Sequence, residues 1–309
     1  MAPLKIKKTV MRAVIEATYG TFQEPAASDV MWVENLNLNP LEADVVDDGV
    51  MCGRLGSNPQ ILHNEHVTLE FDFAFRGAGT AGDLPNYDVL MRAGAHASTQ
   101  AADRVTYTLI DDAYESASVV IHYDGNRHPI SGLRGVVPYS GTQNNKMYFK
   151  FKGIGLFLPP EAAAFVAPDC SAIHTTKPLI MDSHSAFTFR GMSPVLYSIS
   201  NDYGAAAYLD NTINFKEVVL DDRAMTMSLE LRASNVTNQG FYAQALDRTT
   251  GAANLVIGDT AGHIVEIDMP KTQFSAGPQY GEHQQVRTYN LSSVLLPTVG
   301  NDEQSVIVR

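Results

Sequence analysis

The sequence predicts a mainly β protein of α+β type, with two similar β-sandwich domains in tandem, each carrying one short flanking helix. Three observations carry this expectation. Val67–Phe73 and Met225–Leu231 both alternate apolar and polar residues, the period-2 pattern of a half-buried strand. A short helical stretch with an aromatic residue near its start follows each of them, over Asn86–Gly94 and Gly240–Arg248. The order of elements then repeats between the two halves of the chain, as an internal duplication would make it.

The N-terminal arm and first domain are expected over residues 1–160. Trp32–Asn39 alternates and reads as the first strand, ended by Pro40; its counterpart in the second half is Phe187–Arg190, continuing through Val195–Ile199. Val119–His128 and Asn254–His263 read as hairpins at a constant offset, which lays Asp124 on Asp259, His128 on His263 and Tyr139 on Phe274. Asp124-Gly125 suits a two-residue type I′ turn, whose central positions both need positive φ. Each half closes on a long strand ending in Leu-Pro, Met147–Pro159 and Val286–Pro297. Pro159, Pro160, Pro168 and Pro178 rule out a continuous helix or central strand between the halves. Residues 161–182 are therefore read as an extended connector and 183–309 as the second domain. Two glycine-rich segments, Asp47–Pro59 and Arg76–Asp83, read as loops that are mobile or order against a partner.

The chain has 309 residues and a formal net charge of −12, which argues against a protein that grips nucleic acid, since such a footprint is basic. Cys52 and Cys170 form no metal-like pattern and read as two buried reduced thiols, with a single disulfide as the alternative. Arg12 and Glu16 interrupt what would be the apolar core of a signal peptide, and the longest apolar runs are too short to span a bilayer. Gly77–Gly82 has the outline of a dinucleotide loop, but antiparallel hairpins follow it where a βαβ unit is required. His63 and His66 stand three apart and read as a solvated loop, because a zincin helix needs a spacing of four. No G-x-S-x-G elbow occurs, since Gly191–Pro194 breaks it with proline. These residues point away from an enzyme and toward no cofactor or metal.

Ile15–Thr21, Leu36–Glu42 and Leu55–Gln60, continued by Val67–Gly79, Gly153–Pro159, Gly258–Val265 and Asn301–Arg309, resemble the major tail tube proteins of long, non-contractile-tailed bacteriophages, in the two-domain form. The resemblance is a diffuse pattern spread over nearly the whole chain. It implies a structural protein of the virion tail, made in the bacterial cytoplasm, whose domains each lend four strands to the inner wall of a ring. Three chains then complete a 24-stranded barrel, and rings stack into a helical tube. The implied partners are further copies of the chain, the tape measure protein in the lumen, tail terminator and baseplate proteins at the ends, and double-stranded DNA as a passenger; no membrane insertion is implied. A ring of three would carry about −36, which could repel phosphate if enough of that charge faced the lumen. Contacts between rings are expected from the basic arm, Lys5, Lys7, Lys8 and Arg12, and from the loop residues Gly77, Gly79, Gly82 and Asp83. Deleting residues 1–12 is expected to stop tube elongation while leaving both domains folded. The alternatives are a tail terminator or baseplate ring protein of similar fold, or a carbohydrate-binding β-protein, although Trp32 is the sole tryptophan.

Overall fold

The computed structural model describes residues 5–51, 53, 55–165, 167–168 and 176–309, so Cys52 and Cys170 lie outside it. Strand makes up 53% of the chain and helix 6%, which makes the fold mainly β as expected. After a single 3-10 turn at Ile6–Lys8, the first half opens on β1 (Thr9–Ile15) and β2 (Val30–Met31). β3 (Glu34–Asp47) and β4 (Gln60–Ala74) make a long hairpin, followed by α1 (Asp88–Ala93). β5 (His96–Gln100), β6 (Val105–Leu109), β7 (Ala117–Tyr123) and β8 (Asn126–Val136) come next. β9 (Tyr139–Thr142), β10 (Tyr148–Phe157) and the short β11 (Glu161–Ala162) complete this half.

The second half runs through β12 (Ala186–Phe189), β13 (Leu196–Asp202), β14 (Ala207–Thr212), β15 (Phe215–Leu220) and β16 (Thr226–Arg232). Two short helices, α2 (Val236–Gln239) and α3 (Phe241–Leu246), precede β17 (Thr250–Ile257) and β18 (Val265–Phe274). β19 (Gln279–His283), β20 (Val286–Leu295) and β21 (Ser305–Val308) end it.

Among the described residues every strand pairing is antiparallel, and five recur between the halves. β1–β7, β3–β4, β4–β10, β7–β8 and β8–β10 are matched by β12–β17, β13–β16, β16–β20, β17–β18 and β18–β20. The last long strand of each half is flanked on its far side by two partners in succession. β10 takes β9 and then β8; β20 takes β19 and then β18.

Four local expectations need correction. Pro40 does not end a strand: β3 runs on to Asp47, and the ladder with β4 shifts between Asn39 and Glu42. A residue without an N–H is accommodated there because, among the described residues, β3 pairs on one side only and bulges at that point. The gapless hairpin alignment also fails. Asp124 and Gly125 alone join Tyr123 to Asn126, whereas residues 258–264 separate Ile257 from Val265, so His128 sits opposite Ile121 and His263 lies in a loop. Phe187–Phe189 pairs with β17, which makes it the counterpart of β1; the counterpart of β3 is β13. Finally, His63 and His66 belong to β4, facing Asp44 and Glu42 across the hairpin with nitrogen–oxygen distances of 3.9 and 3.2 Å.

The halves share one hydrophobic core. In the first, Phe75 stacks on Phe149 with ring centroids 3.9 Å apart, and Phe71 on Phe151 at 5.0 Å. In the second, Phe241 sits edge-on to Phe189, Phe274 and Tyr289. Strand pairing joins the halves at two seams, β9 with β13 and β6 with β21. Arg134 of β8 clamps the β14–β15 hairpin by bonding Glu217 at 2.5 Å and the Val218 carbonyl at 3.0 Å, while its guanidinium lies over the Tyr19 ring.

His96 is buried at this joint, with Nδ1 2.8 Å from the Gly94 carbonyl and Nε2 3.1 Å from the Tyr203 hydroxyl. Burial pushes its pKa down to about 4, so the folded protein keeps it neutral while the unfolded chain protonates it near 6.5. The stability this group contributes is present in full above pH ~6.5 and is lost as pH falls toward 4, by about 3 kcal/mol in all. Urea unfolding measured between pH 7 and pH 4 should show that loss, and His96→Gln should flatten it; an unchanged pH slope in the variant would contradict the assignment.

Candidate assembly surface

Tracing the pairings outward from the β9–β13 seam gives one eight-stranded antiparallel sheet that crosses both halves. Its order is β3–β4–β10–β9–β13–β16–β20–β19. The strict alternation legible in β4 and β16 assigns its two faces. Leu69, Phe71 and Phe73 point into the core beside Phe149 and Phe151, and Met227, Leu229 and Leu231 do the same in the second half.

The opposite face is mostly polar, with Ile154 opposite Thr68 and Val294 opposite Thr226 as apolar members. It presents Asn37 and Asn39, then Thr68, Glu70 and Asp72, then Lys150 and Lys152 on the first three strands. Ser140 and Thr142 continue it across the seam to Ser198, Ser200 and Asp202. Thr226, Ser228 and Glu230 face Val294, Ser292 and Asn290 in turn, and Gln279 stands beside Asn290 at the edge. A bulge between Leu196 and Ser198 doubles Tyr197 onto this face, where its ring stacks on His283 at 4.3 Å. Their strands are three positions apart, about 14 Å at ordinary spacing, so side chains meet only because the face is concave.

Charge on this face is mixed and slightly acidic, with Glu34, Glu42, Glu70, Asp72, Asp202 and Glu230 set against Lys146, Lys150, Lys152 and Arg232. Lys150 lies directly opposite Asp72, and Lys152 opposite Glu70. Most of the net −12 of the chain therefore lies elsewhere. Short hydroxyl and amide side chains, which keep their hydration, dominate instead.

Both ends of the sheet are open. Among the described residues β3 pairs only with β4, and β19 only with β20, which leaves a row of backbone N–H and C=O groups on each outer side. Tyr280 on β19 is 55% exposed. It stacks on Tyr289 at 5.1 Å, with Tyr242 and Arg287 beside it.

Beyond Pro40 the β3–β4 hairpin leaves the core. Val45, Val46, Ile61 and Leu62 are about half exposed, and Met51 and Leu55 fully so. The second half offers the β14–β15 hairpin, with Tyr208, Ile213 and Phe215 in water. Lys216 Nζ reaches the Glu65 carbonyl at 3.3 Å, which sets the two hairpins side by side. Contiguous apolar surface of this kind is uncommon on a protein that stays monomeric.

The residues expected to join rings are largely engaged within the chain. Lys8 Nζ donates to Asp124 at 2.8 Å, the Lys5 amide donates to the same carboxylate at 3.0 Å, and Lys7 is exposed. Arg12 is buried in β1, donating to His122 Nε2 at 2.6 Å and to the Pro25 carbonyl at 3.2 Å, so it belongs to the sheet and not to a free arm. Gly79 donates its amide to the Gly262 carbonyl at 2.9 Å. A Cβ on Gly77 would collide with that same carbonyl, and one on Gly82 with the Ala102 carbonyl. The glycine-rich loop thus docks the first half onto the second, and of its four candidates Gly79 and Asp83 remain exposed. A cleft of roughly 700 Å³ also lies between the halves. Its Arg223 is already committed to the Ile110 carbonyl at 2.7 Å and to Asn301 and Glu303.

No known family model matches the chain, and no curated protein is significantly similar to it.

Removing residues 1–12 takes away Val10 and Met11, both buried, together with half of the β1–β7 ladder. Loss of one such side chain costs about 2–5 kcal/mol. Circular-dichroism melts should therefore place the truncated protein well below the full chain. An unchanged melting temperature would show β1 to be dispensable.

Proposed function

We propose that the chain is the structural subunit of a phage tail tube, in which copies close into rings and rings stack into a hollow conduit for double-stranded DNA. The observation that carries this reading is the eight-stranded sheet, mostly polar and concave on one face, packed on the core by the other, and unpaired at both edges among the described residues. A soluble protein with two such edges is an invitation to further pairing, and closure into a barrel removes the edges altogether. Three copies would supply 24 strands, giving a circumference of about 115 Å at ordinary strand spacing and a wider one once the strands tilt. Such a lumen admits a duplex.

The polar concave face suits that passage in a different way from a repulsive wall. Its lysines are matched by acids one strand away, so few cations are free to release counterions from a phosphate backbone. Hydrated Ser, Thr and Asn side chains offer DNA nothing that water does not. The same surface would hold the tape measure protein without fixing it. The paired apolar hairpins, beyond the sheet, are placed to bury themselves against the next ring. Stacking of that kind is a heterologous contact that does not close, and so it builds filaments. Tail terminator and baseplate proteins would cover the last exposed hairpins or their receptor at the two ends, in the virion tail.

Electron microscopy of the concentrated protein should show long hollow rods of uniform width. Isolated rings that never elongate would favour a terminator or baseplate ring protein, and particles with neither form would end the reading.

A further inference from the structure

The chain contains one finished copy of the seam that its own ends lack. Within the molecule, β9 of the first half pairs with β13 of the second, Ser140 opposite Ser200, Gly141 opposite Ile199 and Thr142 opposite Ser198. The internal repeat assigns each partner a counterpart. β9 flanks β10 as β19 flanks β20: Tyr148 faces Ser140, and Thr288 faces Gly281. β13 flanks β16 as β3 flanks β4: Ser200 faces Ser228, and Asn37 faces Glu70. Both β3 and β13 are also bulged at their starts, between Glu34 and Asn37 and between Leu196 and Ser198.

From this we infer that β19 of one copy pairs antiparallel with β3 of a second copy, in the register of the β9–β13 seam. Asn37 then lies opposite Gly281 and Leu36 opposite Glu282, and two residues further along Asn39 meets Gln279. The contact is head to tail, β19 to β3 and never β19 to β19, and so every copy keeps one edge of each kind until the ring closes.

Burial supports the match. Tyr139 is 1% exposed, covered inside the finished seam; its counterpart Tyr280 is 55% exposed at the open edge. Leu36 and Leu38, on the core side of β3 and only partly buried, are the apolar residues that the register brings to it. The hydrogen bonding is equally specific. Gln143 donates its amide to the Tyr197 carbonyl at 2.7 Å, which makes Gly141 and Ile199 a mutually bonded pair. Their counterparts Glu282 and Leu36 therefore point their amides outward, toward the missing strand.

This inference rests on the reading of the chain as a ring-forming subunit, and its test separates the two. Asn39→Cys and Gln279→Cys change exposed side chains at directly opposed, non-hydrogen-bonded positions. Mixed and oxidised, the two single variants should give a disulfide-linked dimer several-fold above either variant alone or the wild type. Rods without that cross-link would overturn the register while leaving the tube standing. The cross-link without rods would uphold the seam and sink the tube, and neither would sink both. As a second variant, Glu282→Pro removes one outward amide from an edge strand, where proline is tolerated. It should abolish assembly at an unchanged melting temperature; rods from this variant would refute the pairing.

Discussion

Backbone hydrogen bonds left open at the two ends of one sheet govern the rest of this molecule. A peptide group that loses water without gaining a partner is costly, so an exposed edge either remains hydrated or finds another strand. Most proteins blunt such edges with charges, prolines or short strands. Here β3 is fourteen residues long and β19 carries a half-exposed tyrosine. Neither edge is capped by another strand among the described residues. Both lie at the ends of a curved surface whose inner side is mostly polar.

The internal repeat turns that liability into a geometry. Joining two similar halves by a strand–strand seam fixes the angle between them, because the ladder, the shared core and the Arg134 clamp act together. If successive copies meet through the same kind of seam, each adds the same rotation, and a ring follows from repetition. The loops serve the same rigidity. Gly77 and Gly79 let the first half approach the Gly262 backbone closely, which stiffens the joint that sets the curvature.

Local chemistry made much of this legible in the sequence. Alternation in Val67–Phe73 and Met225–Leu231 found the two central strands, and Asp124-Gly125 found a tight turn. Helices α1 and α3 lay where aromatic residues opened short non-alternating stretches, whereas α2, just before the second stretch, had no such signal. What escaped depended on contacts distant in the chain. Pro40 looked like a terminator because only the one-sided pairing of β3 explains its tolerance. Arg12 looked like a free basic arm because its partner, His122, is 110 residues away. β21 of the C-terminus lies against β6, and no local pattern announces that pairing. The open edge at β19 was hidden as well: its equivalence to β9 appears only once loops of different length are taken out of the alignment.

The most direct measurement is hydrogen–deuterium exchange of the outward amides on β3 and β19, compared between dilute and assembled protein. The account predicts that Leu36 and Glu282 exchange rapidly when dispersed, and that both become protected together on assembly, while amides inside β9 and β13 are slow in either state. Protection that never reaches these two strands, or that is already present in the dilute protein, would contradict it.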